Sequence, residues 1–101
     1  MQRHRCAVVR LNRRLVEFVS GRLSFDEQSA NTLWSVDLEG ITDGRQIIDA
    51  MRRGTSLQVD VTTGDGSAFN GEATVSDVHI PIKERYFCDA KLTGSGPLRS
   101  V

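Results

Sequence analysis

The chain has 101 residues, with 13 basic and 13 acidic side chains, so its formal net charge at pH 7 is zero. This length suits a single domain with a modest core, and the predicted domain covers residues 1–101. The composition, 39% hydrophobic and 26% charged, is typical of a globular protein and excludes a disordered or fibrous chain. The zero net charge gives no bulk electrostatic support to nucleic-acid binding.

The charges are distributed unevenly along the chain. Residues 1–22 contain six arginines and one glutamate, whereas residues 23–101 contain seven basic and twelve acidic residues. In an assembly, the basic segment of one subunit could face the acidic body of its neighbour; in a monomer, it would form a solvated basic edge. We predict a subunit contact at three of these arginines, namely Arg10, Arg13 and Arg14.

Two strands are predicted before residue 26. They are the segments "CAVVRL" and "LVEFVSGRLSF", and Gly21 marks a bend or a turn in the second. Cys6 and Cys88 are too few for a disulfide scaffold, and both lie in apolar strand patterns, which favours two buried, reduced thiols; a single structural bridge between them is the alternative. No apolar run approaches the length of a membrane span, so we expect no membrane partner.

Strict alternation predicts the clearest strands further along the chain. The segments "WSVDLEG", "LQVDVT" and "YFCDAKL" alternate apolar and polar residues, which is the pattern of a half-buried strand. The turn "TTGDGSAF" predicts a hairpin between residues 57–62 and 68–80, with a bulge near Ser76 and Asp77 and a second hairpin turn at 81–84. The predicted core residues of these strands are Trp34, Val36, Leu38, Val59, Val61, Tyr86 and Leu92.

One short helix is predicted at about residues 43–53. Asp43 is its expected N-cap, Gln46 completes a capping box, and Gly54 ends it. The helix is predicted to bury the apolar stripe Ile47, Ile48 and Met51. The expected fold is therefore mainly β, an antiparallel β-sandwich or partly closed barrel with a single short helix.

The search for catalytic chemistry finds no motif. The "GDG" segment lacks the following lysine and hydroxyl residue of a phosphate-binding loop and is better explained as a hairpin turn. His79 and Cys88 could face each other across the second hairpin, but two ligands are too few for a zinc site. The strand aspartates alternate towards solvent, so no carboxylate pair for acid–base chemistry is evident. We expect no enzyme and no cofactor.

From Gly40 to Leu98, about three-fifths of the chain, the segments are a helix with "IIDAMRRG", strands with "SLQVDVTTGDGSAFNG" and "EATVSDVHIPI", and the closing "YFCDAKLTGSGPL". The motif residues within these segments are Phe69, Gly71, Ala73, Val75, Pro81, Leu92, Gly94, Gly96 and Leu98. This order of elements and these residues resemble the major tail proteins of long-tailed bacteriophages. That tube-forming family is in turn similar to the tubes of contractile tails and type VI secretion.

The resemblance implies a structural virion protein, a tail-tube-like subunit that self-assembles into hexameric rings or tubes in the host cytoplasm. Its partners would be further copies of itself and other tail proteins, with DNA only passing non-specifically through a lumen. The ending "TGSGPL" is interpreted as a flexible tail, in which Gly94 and Gly96 permit close backbone approach and Leu98 packs on a neighbouring subunit. A frayed terminus and a tail folded onto its own domain are the alternatives.

Two other functions remain open at this stage. Arg10 and Arg14 have an Arg-x-x-x-Arg spacing that resembles PilZ domains, small β-barrels in which paired arginines bind a cyclic dinucleotide. The later Asp/Asn-x-Ser-x-x-Gly motif of those domains is replaced here by "DLEGITDG". The second alternative is a tail-completion, connector or adaptor protein of similar fold, because a fold alone does not decide function.

Overall fold

The computed structural model describes residues 2–26, 33–80 and 86–101. The described elements are β1 (Gln2–Leu11), β2 (Arg14–Val16), β3 (Ser20–Phe25), β4 (Trp34–Ile41), α1 (Arg45–Arg53), β5 (Ser56–Thr63), β6 (Ala68–His79), β7 (Cys88–Gly94) and β8 (Arg99–Ser100). The prediction of a mainly β fold with a single helix is confirmed for this part of the chain.

Six strands form a closed antiparallel barrel in the order β1-β3-β4-β7-β6-β5. The ring closes because β5 pairs back with β1, with Val59 opposite Leu11 and Val61 opposite Val9. Two short strands lie outside this ring: β2 pairs with β1, and β8 pairs with β6. Closure removes most of the exposed edges that an open sheet would present. Among the described residues, β2 and β8 lie outside the ring, and residues 75–79 of β6 pair with β7 alone.

The predicted β5–β6 hairpin is confirmed, with Ser56 to Thr62 paired antiparallel to Thr74 to Ala68. The bulge predicted near Ser76 is also confirmed, because the register of β6 against β7 shifts between Val75 and Asp77. The predicted turn at 81–84 lies outside the described residues.

The second predicted N-terminal strand is divided into β2 and β3. Gly21, expected at a bend or a turn, lies inside β3, where a Cβ atom would approach Leu38 Cδ2 to 2.8 Å. The connection between the two strands is held against β4 by backbone hydrogen bonds from Val19 N–H to Glu39 and from Thr42 N–H to Glu17.

Most of the predicted core is confirmed. The buried residues among those predicted are Trp34, Val36, Leu38, Val59, Val61 and Leu92. Cys6 and Cys88 are buried and free, as predicted. Ile48 is only half-buried, and the predictions for Met51 and Tyr86 are wrong, because their side chains are 45% and 52% exposed.

These errors have local causes. Helix α1 turns Ile47 and the small Ala50 into the barrel, which places Met51 at the border of the buried face. Tyr86 precedes β7 in a turn and has a positive φ of 63°, so the alternation of the following strand does not extend back to it.

The start of α1 also differs from the prediction. The N-cap position is Gly44, and no side chain caps it. Asp43 instead accepts a hydrogen bond from the backbone N–H of Arg45 at 3.1 Å. The Gln46 amide donates to the Leu11 carbonyl at 3.1 Å rather than completing a capping box, so it ties the helix to the end of β1.

Candidate functional site

An open groove of about 1290 Å³ separates the β1–β2 hairpin from helix α1. We call it the α1 groove. The hairpin side contributes Asn12, Arg14, Leu15, Val16 and Glu17. The helix side contributes Thr42, Asp43, Arg45, Gln46, Ile48, Asp49, Ala50 and Arg52, with Thr55, Leu57 and Tyr86 completing the lining.

The hairpin wall is built by a two-residue turn at Asn12 and Arg13, whose φ angles are 50° and 69°. Two positive φ angles are the geometry that joins tightly paired strands. The turn sets Leu11 opposite Arg14 and the next pair at Arg10 and Leu15. Because backbone groups alternate in direction along an antiparallel ladder, the N–H and C=O of Leu15 point away from β1.

Strand β2 therefore presents a free edge beside the α1 groove. Its central side chain, Leu15, is 62% exposed, and Val19 just beyond the strand is 81% exposed. Exposed backbone hydrogen-bonding groups next to apolar side chains form a surface on which another strand can pair.

The helix wall of the groove carries charges that are largely paired with each other. The Arg45 Nε donates to the Asp43 Oδ1 at 2.9 Å. This side-chain bond, together with the bond from the Arg45 backbone N–H, lowers the pKa of Asp43, and the side-chain bond raises the pKa of Arg45. The Arg45 guanidinium also lies 5.8 Å from the centre of the Tyr86 ring. Arg53 pairs with Asp49 at 3.2 Å.

Two arginines of the groove differ from these. No ion pair of Arg14 or Arg52 exists among residues 2–26, 33–80 and 86–101. Within the described residues, the groove thus holds two arginines on opposite walls without an ion pair.

The predicted contact arginines have different surroundings. All three are exposed: Arg14 lines the α1 groove, Arg13 forms the hairpin turn, and Arg10 is opposite Asp60 of β5. The Arg-x-x-x-Arg pair is thus not gathered into the groove, since Arg10 is absent from its lining. Their role in subunit contact remains a prediction.

The C-terminal segment, residues 95–101, is folded onto its own barrel. Leu98 is 8% exposed and belongs to the core. Backbone hydrogen bonds of 2.9 Å run from Ser95 N–H to the Glu72 carbonyl and from Val101 N–H to the Ala68 carbonyl. The expectation of a flexible tail with Leu98 on a neighbour is wrong, and the alternative of a tail folded on its own domain is correct.

The two glycines of this segment, Gly94 and Gly96, contact Trp34 of the same chain. The indole Nε1 donates a 2.8 Å hydrogen bond to the Gly96 carbonyl, and the Gly94 backbone lies so close to the indole that a Cβ atom would overlap it. Gly71 of β6 is packed on the same ring. A buried indole N–H requires an acceptor, which is the sequence signal that could have indicated a returning segment.

The barrel is thus covered at both ends. Strand β4 begins at Trp34, under the C-terminal segment, and ends at Ile41, opposite Cys88 of β7. Gly44, which begins the helix, is packed against Cys88. A smaller hollow of about 260 Å³ lies beside Gly96 and Pro97, and the α1 groove, at about 1290 Å³, is the larger of these two concave surfaces.

Neither thiol has the character of a nucleophile. Burial, with a smaller contribution from Asp37, raises the pKa of Cys6 to about 11, and burial also raises the pKa of Cys88. Both thiols are protonated at neutral pH, and the thiolate is the reactive form. In the part of the chain that the structure covers, no group of three or more His, Cys, Asp or Glu side chains could hold a metal ion.

None of the described helices is both long and apolar enough to span a membrane. Together, the fold and its surfaces define a closed six-stranded barrel, covered by a helix and by its own C-terminus, with an edge strand beside an open groove. Comparison with protein-family models, with curated proteins and with solved structures finds no match to this chain.

Proposed function

We propose that this protein is a self-associating structural subunit, a tail-tube-like component of a long-tailed bacteriophage virion that assembles in the host cytoplasm. Its main partner is a second copy of the same chain. Other tail proteins are further partners, and DNA passes through the assembly without specific contacts.

The observation that carries this proposal is the edge of β2. The barrel is closed, yet β2 lies outside the ring with the backbone groups of Leu15 turned away from β1. Natural proteins usually protect such an edge by keeping it short or by adding charge, proline or a covering segment. This edge is three residues long and has Arg14 beside its central residue, but that central residue, Leu15, is an exposed leucine, which favours pairing with a strand of another copy.

The surroundings of the edge suit a protein partner. An added strand would lie in the α1 groove, between Leu15 and the half-buried Ile48 of the helix. Arg14 and Arg52 on the two walls would meet acidic groups of that partner. Such a contact combines backbone hydrogen bonds, apolar burial and charge in one place.

The assignment to a phage tail is supported by the resemblance of residues 40–98. In the structure, the described residues 40–80 and 86–98 form the end of β4, α1, β5, β6, β7 and the beginning of the C-terminal segment. The motif residues Gly71 and Gly94 both pack against Trp34, so the spacing that carries the resemblance belongs to one packed unit of this barrel.

The decisive experiment compares the parent chain with the variant Leu15→Asp by sedimentation velocity and negative-stain microscopy. We expect the parent to form rings or tubes, alone or with an added tail-tip complex. The charge should weaken assembly by about tenfold or more, because it opposes strand pairing at the edge. The matched control is Leu33→Asp, since Leu33 is also an exposed leucine but does not line the groove.

Two results would contradict the proposal. One is a parent chain that stays monomeric at high concentration both alone and with the tail-tip complex. The other is a Leu15→Asp variant that assembles as well as the Leu33→Asp control while both remain folded.

Cyclic-dinucleotide binding is a second candidate, favoured by the presence of Arg14, Arg52 and Tyr86 in one groove. Arginines can bind the phosphates, and an aromatic ring can stack on a base. Titration calorimetry with a cyclic dinucleotide tests it: saturable binding that is lost in Arg14→Ala supports this candidate, and the absence of binding removes it.

A further inference from the structure

The edge at β2 carries opposite charges at its two ends. Arg13 and Arg14 precede the central Leu15, and Glu17 follows the strand; all four side chains are exposed. In the part of the chain that the structure describes, none of these three charged side chains forms an ion pair. The order of the exposed side chains along the edge is therefore basic, apolar, acidic.

The α1 groove has the same polarity along its length. At one end, the hairpin turn is held to β5, because the Asn12 N–H donates to the Gln58 carbonyl at 2.8 Å. Since β5 follows the C-terminal end of α1, Arg52 lies at this end of the groove. At the other end, the Thr42 N–H donates to the Glu17 carbonyl at 3.1 Å, shortly before α1 begins. The turn end of the groove is therefore basic, and the opposite end carries the glutamate.

We infer that two copies of this chain pair their β2 strands antiparallel, about a two-fold axis at Leu15. This inference rests on the proposed self-association, and it names the strand of the second copy that occupies the edge. In this register Leu15 faces the Leu15 of the second copy, and Arg13 faces its Glu17. Because antiparallel strands run in opposite directions, the basic end of each edge meets the acidic end of the other.

Backbone geometry and charge select this register over its neighbours. The N–H and C=O of Leu15 point away from β1, so each Leu15 N–H can donate to the Leu15 carbonyl of the other copy. A shift that centres the axis on Arg14 would set like charges directly opposite each other, which is destabilising. A shift that sets Leu15 opposite Glu17 would need the Glu17 carbonyl, which already accepts a hydrogen bond from Thr42.

The pairing covers the apolar residue that the monomer exposes. Leu15 is 62% exposed, and in this register the two leucines are neighbours on one face of the joined sheet. The incoming Glu17 enters the turn end of the groove, where Arg14 and Arg52 lie on the two walls. A two-fold contact closes on itself, so the dimer is the unit from which a larger assembly is built through a further surface.

Charge exchange at the two ends of the edge tests the register. Arg13→Glu places a glutamate opposite Glu17, and Glu17→Arg places an arginine opposite Arg13. Each single variant has like charges at both ends of the two-fold contact, so its dimerisation at low salt should weaken by about tenfold or more. Both positions are exposed, so the variants should keep the fold, which circular dichroism and thermal unfolding verify.

Two combinations should restore dimerisation in sedimentation velocity. In an equimolar mixture of the single variants, a mixed dimer has unlike charges at both ends of the contact and should form as the parent dimer does. The double variant Arg13→Glu with Glu17→Arg exchanges the charges within one chain and should also dimerise like the parent. The controls Arg99→Glu and Asp77→Arg change the net charge equally at exposed positions outside the groove lining, and they should leave the affinity unchanged.

A cross-link tests the position of the axis without a change of charge. Facing Cα atoms of a hydrogen-bonded antiparallel pair are about 5.5 Å apart, which a disulfide can span. Leu15→Cys should therefore give a disulfide-linked dimer with oxidised glutathione. Val19→Cys is the control, because Val19 is also exposed but its two copies would lie at opposite ends of the contact. The native thiols, Cys6 and Cys88, are buried.

The outcomes separate this inference from the proposed function. If the parent associates and the single variants match it, or if their mixture associates no better than either alone, the two-fold pairing is wrong while self-association stands. A parent that shows the expected exchange pattern but forms only dimers, even with the tail-tip complex, supports the pairing and contradicts the tail-tube role. A parent that stays monomeric contradicts both.

Discussion

The indole of Trp34 and the carbonyl of Gly96, which are 62 residues apart in the chain, are joined by a 2.8 Å hydrogen bond. This bond fixes the C-terminal segment across the end of the barrel where β4 begins. The indole ring of Trp34 is enclosed because Gly71 and Gly94, on two neighbouring strands, have no side chain in the space that it occupies. The ending of the chain is therefore part of the fold, and it belongs to the same packed unit as the largest core side chain.

The first prediction concerns the close contact at Gly94. Gly94→Ala should destabilise the protein by about 1–3 kcal/mol, as overpacking of a core commonly does, because the new methyl group meets the indole of Trp34. The matched control is Gly96→Ala, since a Cβ atom there meets nothing within 4 Å. Urea unfolding monitored by tryptophan fluorescence measures both. Equal stability of the two variants would contradict the packing described.

A second prediction concerns the C-terminal segment. Deleting residues 95–101 should lower the free energy of unfolding of dilute monomer, because it removes the buried Leu98, the β8 pairing and the acceptor of Trp34. Leu98→Ala alone should cost about 2–5 kcal/mol. Chemical denaturation at a concentration where the chain is monomeric provides the measurement. A truncated chain as stable as the parent would restore the interpretation of a frayed terminus.

The sequence predicted where the strands and the helix lie in the chain better than it predicted which strands pair with each other. Alternation of apolar and polar residues located the strands that contain Trp34, Val59 and Leu92. This pattern arises because successive side chains of a strand point to opposite faces of the sheet and only one face is buried. Closure of the barrel depends on the pairing of β5 with β1. No local pattern specifies that pairing, since the partners are about fifty residues apart in the chain.

The predictions were wrong where the burial or exposure of a residue depends on a neighbouring element of the fold. The face of α1 that is buried is the one that carries Ile47 and Ala50. A prediction from apolar character alone therefore overestimated the burial of Met51. The candidate site was missed for a similar reason. The edge at Leu15 requires the turn at Asn12 and Arg13, and an Asn-Arg pair lacks the glycine that usually signals such a turn.

The third prediction concerns backbone strain in that turn. Arg13 has a φ of 69°, a conformation that costs a non-glycine residue about 1–2 kcal/mol. Arg13→Gly should therefore stabilise the monomer, by up to about 1 kcal/mol after the entropy of glycine in the unfolded chain is included. Arg14→Gly is the control, because Arg14 is a strand residue with no positive φ and glycine there should destabilise. Thermal unfolding of the three proteins gives the comparison, and an Arg13→Gly protein less stable than the parent would contradict it.

The last prediction concerns acid stability and the β5–β6 turn. The Asp65 carboxylate accepts hydrogen bonds from the Thr63 hydroxyl and, at 3.0 Å, from the Ser67 backbone N–H. The Thr63 hydroxyl bond is the larger cause of the lowering of the Asp65 pKa from 3.8 to about 2. A carboxyl group whose pKa is lower in the folded state contributes stability above its unfolded pKa and loses that contribution as the pH falls through the folded value.

The stability due to Asp65 should therefore be complete above about pH 4 and decline between about pH 4 and pH 2. Asp65→Asn removes the titrating group, so the difference in unfolding free energy between parent and variant should shrink across this interval. Asp60→Asn is the control for a general loss of negative charge. Urea denaturation at a series of pH values makes the measurement, and a parent–variant difference that stays constant from pH 5 to pH 2 would show that Asp65 titrates normally in the folded protein.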